Sequence, residues 1–114
     1  MPFDRNADRL DDMAVAIRLA QQFVGERSYE QFERDTMCVF AVIRCLEIIS
    51  EASRRVDTGF RDRHPDLPWP QIAAAGNVYR HEYPTVRTDM VWDTVKIALP
   101  PLLAAIETEL GPGR

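Results

Sequence analysis

Asn77, Arg80, His81 and Tyr83 fall together in the stretch Ala75-Gly76-Asn77-Val78-Tyr79-Arg80-His81-Glu82-Tyr83-Pro84. Arg is a permanent cation with a donor fork that suits phosphate. His can take or give a proton near neutral pH. Tyr offers a hydroxyl that can bind or be modified, and Asn offers a donor and an acceptor together. A protonated imidazole beside a guanidinium suits a phosphodiester. Cleaving RNA without a metal needs a base for the 2′-hydroxyl, an acid for the leaving oxygen and a cation for the developing charge. The bland alternative is that Arg80 and His81 cap the end of a helix, where cations are favoured, and pair with Glu82 or a nearby acid.

Other chemistries find no support in the sequence. No Cys, His and acid spacing matches a metal site, so neither a metal nor a cofactor is expected. Gly-rich phosphate loops and a GxSxG elbow are absent. His64, before Pro65, reads as a surface residue. The net charge is −4, which counts against general, tight nucleic-acid binding but leaves room for a local basic site. No apolar run approaches the roughly 18 residues of a membrane span, and the first residues lack a signal peptide's apolar core. A cytoplasmic location with no membrane partner is the expectation. Cys38 and Cys45 sit seven apart in one helical pattern, about 10 Å along the axis, too far for a disulfide. They read as buried free thiols in a reducing compartment.

The elements that must position the cluster read as helices throughout. The chain has 114 residues, 46% hydrophobic and 28% charged, with only five Gly, and reads as one domain with its core over about 8–110 and a tail at 111–114. A first helix over about 8–24 carries Leu10, Met13, Ala14, Ile17, Ala20 and Val24 at helical spacing and stops at Gly25. Ser28 with Gln31 reads as a capping box. It opens a second helix over about 29–56, whose stripe is Cys38, Val42, Cys45, Ile49, Ala52 and Val56. Its outer face holds Arg44, Glu47, Glu51, Arg54 and Arg55. That face is expected to be solvated, with a Glu51–Arg55 surface pair, or to extend a phosphate path from a neighbouring site. Residues 57–70 read as a loop anchored by Phe60, Leu67 and Trp69. Pro70 suits the first turn of a third helix over about 70–82, which Pro84 ends. Asp89 stands near the start of a fourth helix, which Pro100 and Pro101 should kink or break. The stripe Leu102, Leu103, Ile106 and Leu110 then resumes. Trp69 and Trp92 read as core or dimer-interface residues.

Several segments together resemble the HepT-like ribonuclease toxins of the HEPN superfamily, over about residues 8–110. Tyr29-Glu30-Gln31-Phe32-Glu33-Arg34-Asp35 is similar to the family's early segment. Ala41-Val42-Ile43-Arg44-Cys45-Leu46-Glu47-Ile48-Ile49-Ser50-Glu51-Ala52 is similar to its long-helix signature, with Ser50 where Gly is common. His64-Pro65-Asp66-Leu67-Pro68-Trp69-Pro70-Gln71-Ile72 resembles the loop into the active-site helix. Val91-Trp92-Asp93-Thr94-Val95 and Leu99-Pro100-Pro101-Leu102 resemble the closing helix.

The resemblance implies an all-α HEPN-type bundle of four to five helices that forms a homodimer, with two Arg-(four to six residues)-His motifs facing across a cleft. It implies a metal-independent endoribonuclease acting on RNA such as tRNA or mRNA. It also implies a toxin partnered by a minimal nucleotidyltransferase antitoxin that silences it by AMPylating the Tyr two residues after the motif His. Those roles fall here on His81 as general acid/base and Tyr83 as the modified residue, with Asn77 as the polar positioner. The family's Arg, five residues before the His, is Gly76 in this chain. Arg80 is then the phosphate clamp from a different angle, since adjacent helix residues point about 100° apart. Gly76 leaves backbone that a ligand or partner subunit could approach. The competing expectation is a catalytically degenerate module that binds RNA, a nucleotide or the nucleotidyltransferase without cleavage.

Overall fold

A computed structural model of the chain describes residues 5–77 and 87–111. Among these residues every regular element is helical. Three long rods make the frame: α1 (Arg5–Val24), α3 (Thr36–Ser53), and α6 (Thr88–Asp93) running through a π turn (Thr94–Ala98) into α7 (Leu99–Leu110). Short helices α2 (Tyr29–Arg34), α4 (Thr58–Arg63) and α5 (Trp69–Ala74) fill between them. The all-helical class is as expected, and the short helices raise the element number above the four to five anticipated. No described helix is long and apolar enough to cross a membrane.

The core is the sum of the predicted stripes. Leu10, Met13, Ile17 and Ala20 of α1 are buried against Val42, Leu46 and Ile49 of α3 and Leu102 and Ile106 of α7. All six residues of the α3 stripe, from Cys38 to Val56, are buried. Gly25 ends α1 with φ +53, a left-handed turn that a Cβ would strain, and its N–H donates to the Gln21 carbonyl at 2.9 Å. Ser28 and Gln31 make the capping box in both directions.

The expected second helix is two helices. Asp35 closes α2, its N–H donating to the Phe32 carbonyl, and its side chain then caps α3 by accepting from Cys38 N–H at 3.0 Å. Asp competes for backbone donors in just this way, so it breaks helix interiors and favours caps. The break turns α2 so that Phe32 packs on Trp92 with ring centroids 5.5 Å apart. Tyr29 meets the same indole edge-on at 5.7 Å. Trp92 therefore belongs to the packing of α2 on α6.

The segment read as a loop carries helix α4. Asp57 caps it by accepting from Phe60 N–H at 2.8 Å, and buries the Phe60 ring against His64 (5.0 Å) and Trp69 (5.6 Å). His64 is thus a half-buried packing residue. Gly59 and Pro65 masked α4, because a six-residue helix shows little periodicity. Pro100 and Pro101 do not end the last rod. Neither can donate to the carbonyl four residues back, and the ladder widens just before them, Leu99 N–H reaching Thr94 across five residues.

Replacing Asp35 by Ala removes the α3 cap and should lower stability by about 0.5–2 kcal/mol, read as a fall in the urea midpoint at constant slope. Cys38 and Cys45 are free and buried, and burial pushes both thiols above the ordinary thiol range. Thiolate is therefore scarce at neutral pH. Both should resist alkylation in native protein and react quickly in urea; equal labelling in the two states would contradict their burial.

Candidate functional site

The C-terminal end of α5 meets the outer face of α3, and the encounter rebuilds the backbone there. In an α-helix Gly76 N–H would donate to the Ile72 carbonyl. Here the Ser50 hydroxyl of α3 stands between the two. It accepts from Gly76 N–H at 2.8 Å and donates to the Ile72 carbonyl at 3.0 Å. Four residues further along α3, Arg54 Nη2 donates to the Ala73 carbonyl at 2.8 Å. A side chain inserted in the ladder opens it locally. After Ala74 the chain tightens into a 3₁₀ turn, Ala75–Asn77, with Ala75 N–H donating to Ile72.

Gly76 fits this seat because it lacks a Cβ. An added Cβ would lie 3.0 Å from Glu47 Cα, 3.3 Å from Ser50 Oγ and 3.4 Å from Glu47 Cγ. A close approach at Gly76 thus occurs to α3 of the same chain. Ser50 and Gly76 are one another's neighbours across 26 residues of sequence.

Beside this seat runs a groove of about 340 Å³ lined by Arg44, Glu47, Ser50, Glu51, Arg54, Gly76 and Asn77. Asn77 is the one sequence-selected site residue that falls within the described chain, and it is on the groove wall. Arg80, His81 and Tyr83 lie outside the described residues. Sequence reasoning did not select Ser50 or Glu47 for the site, and named Arg44 and Arg54 only as a face that could extend a phosphate path. Arg44 bonds Glu47 Oε1 at 3.2 Å, Arg54 bonds Glu51 Oε2 at 3.3 Å, and Arg55 takes Glu51 Oε1 at 2.6 Å. The last is the surface pair expected from the four-residue spacing. Each acid holds a guanidinium in place while leaving donors on its five-donor fork. The face read as solvated therefore walls a polar groove whose arginines are aimed by their own helix.

The described chain is an all-α bundle with a polar groove at the end of a short helix, and sequence comparison supplies its family. A family model described as Ribonuclease HepT-like matches residues 13–109. The chain is 40% identical over 100 residues to a Thermococcus cleftensis protein named probable ribonuclease HepT, an overlap of 88% of this chain and 91% of that one. It is 34% identical over 86 residues to a Methanocaldococcus jannaschii protein named as a candidate RNase, covering 75% and 79% of the two chains. A Caldanaerobacter subterraneus protein with a similar name is 36% identical over 85 residues, covering 71% and 76%. No solved structure gives a significant match. The chain belongs to the HepT-like ribonuclease family.

Gly→Ala in a helical segment ordinarily stabilises a protein by about 0.5–1 kcal/mol. At Gly76 the sign should reverse, with a loss of about 1–3 kcal/mol, because the new Cβ meets backbone that cannot swing aside. Ser50→Ala should lose a similar amount by leaving Gly76 N–H buried without its partner. Thermal or urea unfolding checks both, and a more stable Gly76→Ala protein would refute the packing argument.

Proposed function

We propose that the protein is a metal-independent endoribonuclease in which His81 moves the proton, Arg80 and Asn77 hold the scissile phosphate and its neighbours, and Tyr83 positions RNA. Family membership is the observation that carries this reading. The position of Asn77 on a polar groove, four residues before His81 in sequence, supports it. The chemistry asks for proton transfer at the 2′-hydroxyl and at the leaving oxygen, with cations on the phosphorane. Imidazole and guanidinium supply both without a metal.

In this reading the active unit is a homodimer, with the two His81 motifs facing across a cleft. The exposed apolar side chains of Met37, Phe40, Met90 and Ile97 support a surface covered by a second copy. The biological setting is a toxin paired with a minimal nucleotidyltransferase antitoxin, which silences it by transferring AMP to the Tyr83 hydroxyl.

A second reading is favoured by one observation: position 76 carries no side chain, so the usual motif cation is absent there. The protein would then be a degenerate binding module that holds RNA, a nucleotide or the nucleotidyltransferase without cutting RNA.

Cleavage of tRNA and mixed cellular RNA in EDTA separates the two. The wild type should cut, and His81→Ala should fall by at least about a hundredfold, the usual contribution of a general acid/base. The variant should keep its helical circular dichroism. Equal inactivity of both folded proteins would favour the binding module, and cleavage by His81→Ala would remove His81 from the chemistry.

A further inference from the structure

Gly76 brings no cation to the site, yet its seat on α3 places two arginines at the ends of one groove. Arg44 lies on α3 and Arg54, ten residues on, caps its C-terminus, about 15 Å along the axis. Gly76 and Asn77 lie along the wall between them, against Glu47 and Ser50. Arg54 is fixed on the site segment itself through the Ala73 carbonyl, three residues before Gly76. The Arg44 side chain is 71% exposed and bonds Glu47 of its own helix. The adjoining groove shares Arg44, Glu47 and Glu51 and adds Arg9, Arg55 and the acid Asp12. Across the two adjoining grooves Arg9, Arg44, Arg54 and Arg55 stand against Asp12, Glu47 and Glu51, a small local excess of positive charge although the whole chain carries −4.

We infer that Arg44 and Arg54 are backbone-phosphate ligands for single-stranded RNA, and that this α3 groove supplies the cationic contact that position 76 lacks. The inference rests on the ribonuclease reading for its ligand class and adds residues that the motif does not contain. Glu47 and Glu51 are orienting groups: they hold each guanidinium along the groove and leave donor N–H groups for a phosphate. Phosphate contacts of this kind position a strand without reading its bases. The net negative surface elsewhere then confines RNA to the groove.

The test is binding of a fluorescent 2′-O-methyl RNA oligonucleotide, which cannot be cut, to the full chain as a function of salt. Each phosphate contact on a single strand contributes a slope of about 0.7 in log K against log[salt]. Arg44→Ala/Arg54→Ala should weaken binding at low salt by about tenfold or more and lower the slope magnitude by about 1.4. Arg44→Ala alone, which among the described residues removes a bond within α3, should lower it by about 0.7. Arg18→Ala, whose Arg18 partner is Glu107 on α7, should change neither. Arg54→Lys retains the charge and should keep most of the affinity, whereas a loss as large as that of Arg54→Ala would mean that Arg54 acts only structurally, through the Ala73 carbonyl.

Wild-type slope and affinity in the Arg44→Ala and double variants would overturn the inference, and so would the absence of salt-dependent binding by the wild type. The ribonuclease reading fails separately. If no protein cuts RNA but binding depends on Arg44 and Arg54, the groove stands and catalysis does not. If His81→Ala stops cleavage while the arginine variants bind normally, catalysis stands and the groove does not.

Discussion

A single hydroxyl organises the site region. Ser50 occupies the gap in the α5 ladder between Gly76 N–H and the Ile72 carbonyl, and both bonds are short and buried. An inserted hydroxyl of this kind is stable only if the helix carrying it comes close enough to reach both groups. That closeness in turn requires a residue without Cβ at 76. The interaction thus fixes the distance between α3 and α5, tightens the chain into a 3₁₀ turn and sets the direction in which Asn77 leaves the helix. A buried network is favourable only when every member is satisfied, so the serine and the glycine have to be kept or lost together.

α3 consequently has two duties on opposite faces. Its apolar stripe, from Cys38 through Val42, Cys45 and Ile49 to Ala52, is buried in the core with α1. Its polar stripe, Arg44, Glu47, Ser50, Glu51 and Arg54, walls the groove. Because the first stripe is locked by packing, the second is presented on a rigid rod rather than on a loop. Rigid presentation matters for phosphate recognition, since a long arginine side chain loses less freedom on binding when neighbours already hold it. The two glutamates supply that restraint here.

Most of the fold was legible in the sequence because it is written in local signals. The apolar stripes at helical spacing located α1, α3 and the last rod, the capping box at Ser28 located the start of α2, and Gly25 marked its turn. Where reading failed, two local rules competed. Asp35 sits inside a continuous helical pattern, and its side chain takes a backbone donor and divides the helix. Pro100 and Pro101 forbid two ladder bonds, and the rod absorbs the loss in a π turn. Helix α4 is too short for periodicity, and its Asp57 cap was the signal available for it.

The sequence by itself determined the helical class, the buried faces and the family, since these depend on residue type and on spacings of a few positions. Tertiary structure decided what Gly76 is for. Nothing local to position 76 says that Glu47 Cα will lie 3.0 Å from its missing Cβ, or that Ser50 will bridge its N–H to Ile72. Those contacts join residues 26 positions apart, and they exist because core packing of α1, α3 and α5 brings two backbones together. Only that encounter turned a surface charge pattern on α3 into the wall of a groove.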